Sequence, residues 1–233
     1  MATLPITEDE IQQPRTPGEL LDWCCGKIEE IAATEGGTTA VRLGKGLCKQ
    51  LVEEVYPLAI WAVNSESVSA SALMSPCIGS QHFDAIVKDE ALDPSEYYVE
   101  ITQAHMGQSE HFRLLHLNNE GWAPGPLSAM RRVGQRGSGQ IQPGRVLHSM
   151  AGQISQTVEL IREAISRKIA KEYPQPIVLV VGFEDFIIKN DEDSGDILCV
   201  AAKTLLEAAT HAFRDVFLVG MSGHLILKVN CES

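Results

Sequence analysis

The sequence has no long hydrophobic run and no segment typical of secretion. Its longest apolar stretches, PLAIWAV and PIVLVV, are far shorter than the roughly 20 residues that a membrane-spanning helix needs. The N-terminus lacks the basic and apolar regions of a signal peptide. We therefore expect a soluble, cytoplasmic chain with no membrane partner.

Cysteine pairs with metal-binding or redox spacing are also missing. The six cysteines include no CxxC pair, and the adjacent Cys24 and Cys25 cannot easily bridge each other, so we expect reduced, mostly buried thiols. The chain has no GxSxG nucleophile elbow, and Gly44-Lys45-Gly46 lacks the spacing of a phosphate-binding loop. These absences exclude serine hydrolases of that type and P-loop enzymes.

The chain has no excess of positive charge that could coat nucleic acid indiscriminately, because its formal net charge is -12. A local exception is RRVGQRGSGQIQPGR, residues 131 to 145, which contains four arginines and no acid. This segment is either a solvated loop or a nucleic-acid contact. It lies in a stretch, 119 to 147, with little secondary-structure signal, and long loops in compact domains are often functional. We expect Arg131, Arg132 and Arg136 to bind nucleic acid.

The length of 233 residues, with 44% hydrophobic content, suits one domain. Residues 1 to 15 are polar and without periodicity, and we expect a mobile arm there, followed by a single domain over 16–233. Thr16-Pro17-Gly18-Glu19 reads as a capping box that begins a helix ending near Ala33. A second helix is expected from about Thr38 to Pro57. Together the two helices would form an N-terminal helical layer.

The rest of the chain predicts an α/β fold with a mixed central sheet flanked by helices. Strands are expected near 67–73, 82–87 and 97–102, followed by helices over about 108–118 and 150–169. The continuous apolar run 177–181 is typical of a strand buried on both faces. A helix over 197–211 and a closing hairpin, 216–219 with 225–229, complete the pattern.

Two acidic residues stand on neighbouring predicted strands within QHFDAIVKDEALDPSEYYVEITQ. Alternation along each strand places Asp84 and Glu100 on one face if the strands pair antiparallel. An acid in a strand can be a solvated side chain on an exposed face. Here each acid is the only charge in an apolar setting, FDAIV or YYVEI, so a cation or a proton is expected between them.

This order of elements, with one acid on the second strand and another on the third, resembles the PD-(D/E)XK nuclease superfamily, whose fold is called restriction-endonuclease-like. The run YYVEITQAHMGQSEHFRLLHLNNEG is also similar to that of uncharacterised bacterial proteins suspected of carrying this fold. The resemblance implies that Asp84 and Glu100 bind Mg²⁺ or Mn²⁺ together with the carbonyl of Ile101. It covers about residues 40 to 183.

One residue departs from the family pattern: its lysine would fall at Thr102, which cannot carry a positive charge. Either Thr102 or Gln103 could orient the attacking water by a hydrogen bond. Alternatively, a lysine could arrive from the following long helix, where Lys168 and Lys171 are available. Arg113 could hold a phosphate with its fork.

Three hypotheses follow for the function. The first is a divalent-metal-dependent nuclease that cleaves DNA or RNA. The second is a catalytically degenerate protein of the same fold that binds nucleic acid or protein. The third is a subunit of a larger assembly, either a homo-oligomer or a complex with a protein partner, docked through its N-terminal elements.

Overall fold

The protein was analysed as a computed structural model that describes residues 4–134, 139–144, 149–173, 176–186 and 192–229. Eight helices are present in these ranges, and a π-helical turn, Leu51–Val55, joins the fourth to the fifth. The helices are α1 (Glu8–Gln12), α2 (Pro17–Ala32), α3 (Gly37–Arg42), α4 (Leu47–Gln50), α5 (Tyr56–Asn64), α6 (Gln108–Glu120), α7 (Met150–Ile169) and α8 (Glu192–Glu207). The strands are β1 (Leu73–Pro76), β2 (Ala85–Lys88), β3 (Glu96–Ala104), β4 (Met130–Val133), β5 (Gln140–Pro143), β6 (Ile177–Phe183), β7 (Phe213–Gly220) and β8 (Ile226–Val229).

Six strands form one mixed sheet in the order β1-β2-β3-β6-β7-β8. The first three make an antiparallel meander, while β3, β6 and β7 are parallel neighbours. The connections to β6 and β7 contain α7 and α8, and β8 returns antiparallel to β7. The prediction of a mixed central sheet flanked by helices is confirmed.

The sheet has an apolar core on each face. Val178 and Val180 belong to the core formed with α2 and α5, whereas Leu179 and Val181 belong to the core formed with α7 and α8. All residues of β6 are buried, as the continuous apolar run predicts. None of the described helices is both long and apolar enough to cross a membrane.

The N-terminal segment differs from the expected arm over residues 1 to 15. Its described part contains α1, and Ile11 of that helix is only 1% exposed. The Lys27 ammonium of α2 donates to the Pro5 carbonyl at 3.1 Å and to the Glu10 carboxylate at 3.1 Å, so it fastens this segment to the helical layer. One buried isoleucine in a five-residue helix is too little to produce a recognisable period.

The stretch expected to lack secondary structure contains the two-stranded sheet of β4 and β5, which packs against α6. Arg131 and Arg132 lie on β4 with exposed side chains. Arg136 lies outside the described residues. The strands escape detection in the sequence because they are four residues long and mostly polar, so they show no apolar alternation.

Candidate functional site

The two acidic residues singled out by the sequence lie side by side on the central sheet. Ala85 of β2 pairs with Val99 of β3, which places the preceding Asp84 next to the following Glu100. Asp84 accepts a hydrogen bond at Oδ2 from the Ile101 backbone N–H at 2.7 Å. Glu100 is only 2% exposed. The structure therefore brings the two residues together at one end of β2. Asp84 lines a crevice with Glu54 and Ile101, whereas the Glu100 carboxylate meets lysines at the end of α7.

Two lysines neutralise Glu100 from the end of α7. Lys168 donates from Nζ to Glu100 Oε1, and Lys171 reaches the same oxygen at 3.0 Å. The side chain of Lys168 is 13% exposed and that of Lys171 is 51% exposed. Lys168 is thus the inner member of the pair. A lysine from the long helix reaches the acids, which was one of the two alternatives for the cation missing at Thr102.

A third acid, Glu54, joins the cluster from the π turn and was not singled out by the sequence. Glu54 and Asp84 line one narrow crevice. Burial raises the pKa of Glu54 to about 7, and the charge of Asp84 adds to the shift. Burial likewise raises the pKa of Asp84 to about 6, with a further contribution from Glu100. The site therefore has carboxyl groups that hold protons close to neutral pH.

The π turn explains why Glu54 points toward the sheet. In the sequence, Glu53 and Glu54 look like the polar face of a continuous helix that runs to Pro57. The structure divides that helix into α3, α4, the π turn and α5, and a π turn takes more residues than an α-helical turn. The extra residue alters the direction of the neighbouring side chains. No sequence signal marks such a turn, and π turns are frequent at functional sites.

Gln103 connects the π turn to the sheet. Its side-chain amide donates to the Glu53 carbonyl at 2.9 Å. Gly182 on β6 leaves the space that this side chain occupies, because a Cβ there would lie 2.6 Å from the Gln103 Oε1. This contact holds Glu54 in position, so Gln103 has a structural task beside the water-orienting role expected from the sequence.

An open cleft of about 170 Å³ lies at the carboxyl end of β3 and reaches Glu54 of the acid cluster. Thr102, which is 9% exposed, and Glu54 line it. Arg167 and His105 complete its lining, and Arg167 donates to the Gln103 carbonyl at 3.3 Å. A wider cleft of about 590 Å³ adjoins it and shares His105 and Gln103. A ligand can approach Glu54 by this route.

Tyr173 borders the cluster from the segment after α7. Burial, followed by the charges of Glu100 and Asp84, raises the pKa of its phenol, so the group stays protonated. Its hydroxyl oxygen is buried and has no hydrogen-bond partner among the residues that the structure describes. The hydroxyl lies beside the Glu100 carboxylate, and this contact also raises its pKa. The sequence offered no pattern that would have identified it.

The carboxylate groups of the site are of the type that binds a hard cation, but there are too few of them to fill its coordination shell. Carboxylate oxygens are the donors that Mg²⁺ and Mn²⁺ prefer, and a divalent ion could replace the proton held by Asp84. Within the described ranges, however, no group of three His, Cys, Asp or Glu is arranged to hold a metal ion. An ion here would be held by Asp84 and Glu100 and would depend on water for much of its shell.

The arginines expected to bind phosphate differ in whether their guanidinium groups are already engaged within the protein. Arg113 is engaged by Glu110, with Nε and Nη2 donating at 2.8 and 2.7 Å, so its fork is occupied within α6. Arg132 places its guanidinium 5.3 Å from the centre of the Phe112 ring. Its outer edge and the side chain of Arg131 remain exposed. These two arginines are the better candidates for binding an anion.

Comparison with protein-family models, with curated proteins and with solved structures found no match to this chain. The fold and the site geometry therefore provide the support for any functional assignment.

Proposed function

We propose that this protein is a divalent-metal-dependent nuclease that hydrolyses phosphodiester bonds of DNA or RNA on a restriction-endonuclease-like core. One observation carries the proposal: Lys168 meets Glu100 where Asp84 lies beside it. Two acids and a lysine are the residue types that the resemblance requires, and the lysine comes from α7 rather than from β3. The positive charge missing at Thr102 is thereby restored from a different element.

The order of elements supports the same family. An antiparallel meander, β1 to β3, is followed through α7 by β6, which is parallel to β3. Glu100 lies on β3, and Asp84 is the residue immediately before β2. The N-terminal helices and the last hairpin extend this core on either side.

The roles of the residues follow from their surroundings. Asp84 and Glu100 would hold Mg²⁺ or Mn²⁺, which supplies a Lewis acid for the phosphate and lowers the pKa of a bound water. Lys168 orients Glu100 and places a positive charge beside the phosphate. Glu54, with a pKa raised to about 7 by burial, is suited to accept a proton from the attacking water near neutral pH.

A second candidate function is a catalytically degenerate protein of this fold that binds nucleic acid or protein. It is favoured by the two lysines on Glu100, which already balance the buried carboxylate without a metal. In that case Glu100 stabilises the fold through its lysine partners, and the exposed Arg131 and Arg132 bind the nucleic acid or protein partner. A homo-oligomer or a larger assembly is compatible with either function.

A cleavage assay decides between the two. Labelled single- and double-stranded DNA and RNA are incubated with the full chain in Mg²⁺, in Mn²⁺ or in EDTA. We expect metal-dependent cleavage that Asp84→Asn and Lys168→Met abolish. The matched control is Glu53→Gln, which removes a carboxylate next to Glu54 but keeps the backbone carbonyl that Gln103 binds. Cleavage that persists in EDTA or in Asp84→Asn overturns the metal mechanism, and binding without any cleavage supports the second candidate.

A further inference from the structure

An aromatic strip lies on the unit formed by α6, β4 and β5, away from the acid cluster. Phe112 and His116 are four residues apart on α6 and therefore share one helix face. The Arg132 guanidinium lies 5.3 Å from the Phe112 ring centre. The Trp122 ring meets His116 edge-on, with the ring centres 4.8 Å apart and an interplanar angle of 84°. Trp122 is 55% exposed, an unusual state for the largest apolar side chain.

A groove of about 470 Å³ runs beside this strip. Its lining includes His116, Asn119, Glu120 and Arg132, with Gln140 from β5. Trp122 lies outside this lining but contacts it through the His116 ring. The Nε2 atom of His116 is buried and has no hydrogen-bond partner in the described part of the chain. A buried polar atom without a partner is costly, and a ligand in the groove could satisfy it.

We propose that this surface binds single-stranded nucleic acid, with an unpaired base stacked on the exposed Trp122 ring and the adjoining nucleotide in the groove beside Arg132. The proposal rests on the nucleic-acid substrate of the proposed function and makes that substrate, or the part that contacts α6, single-stranded. Every base offers a flat face to an exposed indole, whereas the bases of a duplex already stack on each other. The amides of Asn119 and Gln140 can bind base edges without demanding one sequence.

The local charge favours this occupant over an acidic or neutral partner. The described part of the unit carries Arg113, Arg131 and Arg132 against Glu110 and Glu120. Since Glu110 pairs with Arg113, the exposed guanidinium groups of β4 give the strip a positive balance within a protein of net charge -12. An anionic backbone with projecting rings matches both the charge and the aromatic surface.

The test measures binding in EDTA, so that no metal-dependent cleavage takes place. A fluorescent oligothymidylate of about 15 nucleotides and a duplex of similar length are titrated with the full chain, and anisotropy gives the two dissociation constants. We expect the single strand to bind at least tenfold more tightly than the duplex. Trp122→Ala should weaken single-strand binding by about tenfold, the effect of losing one stacked base, while Trp122→Phe should retain most of it.

Circular dichroism and thermal unfolding of the two variants establish that they are folded. Equal binding of single strand and duplex overturns the proposal, as does equal binding by wild type and Trp122→Ala. Failure of wild type to bind either nucleic acid also overturns it. The cleavage assay tests the proposed function separately. Binding that depends on Trp122 without any cleavage supports this binding site and contradicts the nuclease. Cleavage together with binding that does not depend on Trp122 supports the nuclease and contradicts this site.

Discussion

Lys168 and Lys171 donate to the same carboxylate oxygen of Glu100, which is nearly inaccessible to solvent. Their spacing of three residues lets both reach it from the end of one helix. A buried carboxylate needs such partners, because desolvation makes an uncompensated charge expensive. The two lysines, one in the last turn of α7 and one just after it, should differ in importance according to their burial.

The first prediction concerns stability. Lys168→Met should lower the free energy of unfolding by about 1–3 kcal/mol, since it removes the buried partner but leaves Lys171 to compensate in part. The matched variant Lys171→Met should cost less than about 1 kcal/mol, because that side chain is half exposed. Urea unfolding at neutral pH measures both. Equal losses for the two variants would mean that burial does not rank the lysines.

Metal binding gives a second prediction. Saturating Mg²⁺ or Mn²⁺ should raise the melting temperature by about 2–4 °C, the shift that roughly 1 kcal/mol produces in a domain of this size. Asp84→Asn should remove the rise, since it deletes a ligand charge, and Glu53→Gln should keep it. Thermal unfolding in each metal and in EDTA makes the comparison. A wild-type protein that melts at the same temperature in all three would argue against a metal site.

The third prediction is a pH dependence with a definite sign. The pKa values of Asp84 and Glu54 are raised from ordinary values of 3.8 and 4.5 to about 6 and about 7, mainly by burial. The folded protein therefore binds more protons than the unfolded chain in this range. Stability of the metal-free protein should fall as pH rises from about 4 to about 7, by about 1–2 kcal/mol after allowance for solvent screening.

Urea midpoints measured across this pH range in EDTA provide the test. Glu54→Gln should flatten the upper part of the profile and Asp84→Asn the lower part, because each removes one of the raised carboxyl groups. In the presence of metal the wild-type slope should weaken or reverse, since a cation binds the ionised carboxylates. A profile that climbs with pH in EDTA would show that these acids are ionised and well compensated in the folded protein.

The fourth prediction concerns the arginines of β4. Arg131→Ala with Arg132→Ala should weaken nucleic-acid binding and reduce the salt slope by about one unit for each phosphate that the variant no longer binds. The double variant should leave the melting temperature nearly unchanged, since both side chains are exposed. Arg162→Ala, an exposed arginine on α7, is the control. Binding that follows the wild-type curve at every salt concentration would remove these arginines from the interface.

The sheet could be predicted from the sequence where periodicity was strong. The apolar run of β6 and the long stripe of α7 identified both elements, and the antiparallel pairing expected for the two acidic segments is present. The first strand was expected over 67–73 but begins at Leu73. Asp89 explains the shift, because it accepts from the Ser69 N–H at 2.8 Å and from the Ser69 hydroxyl at 2.7 Å, which ties that part of the chain into a turn.

The site residues that the sequence did not reveal are brought together by tertiary packing, which leaves no local pattern in the sequence. Lys168 was recognised as available, yet only the packing of α7 shows that it reaches Glu100. Glu54 was overlooked because its direction depends on the π turn, and Tyr173 because its neighbours come from distant strands. The single-domain boundary at residue 16 and the metal itself stay predictions. The metal requires direct measurement.

The position of Glu54 in the acid cluster depends on the number of residues in the π turn at Leu51–Val55, and not only on which residues they are. Each residue of an α-helix turns the chain by about 100°. Deleting one residue there would convert the π turn into an ordinary α-helical turn and change the direction of the side chains within it, which would carry Glu54 away from Asp84. A one-codon deletion could thus withdraw an acid from the site while leaving every remaining side chain unaltered. Insertions and deletions in this turn are therefore expected to alter the acid cluster without any change on the sheet.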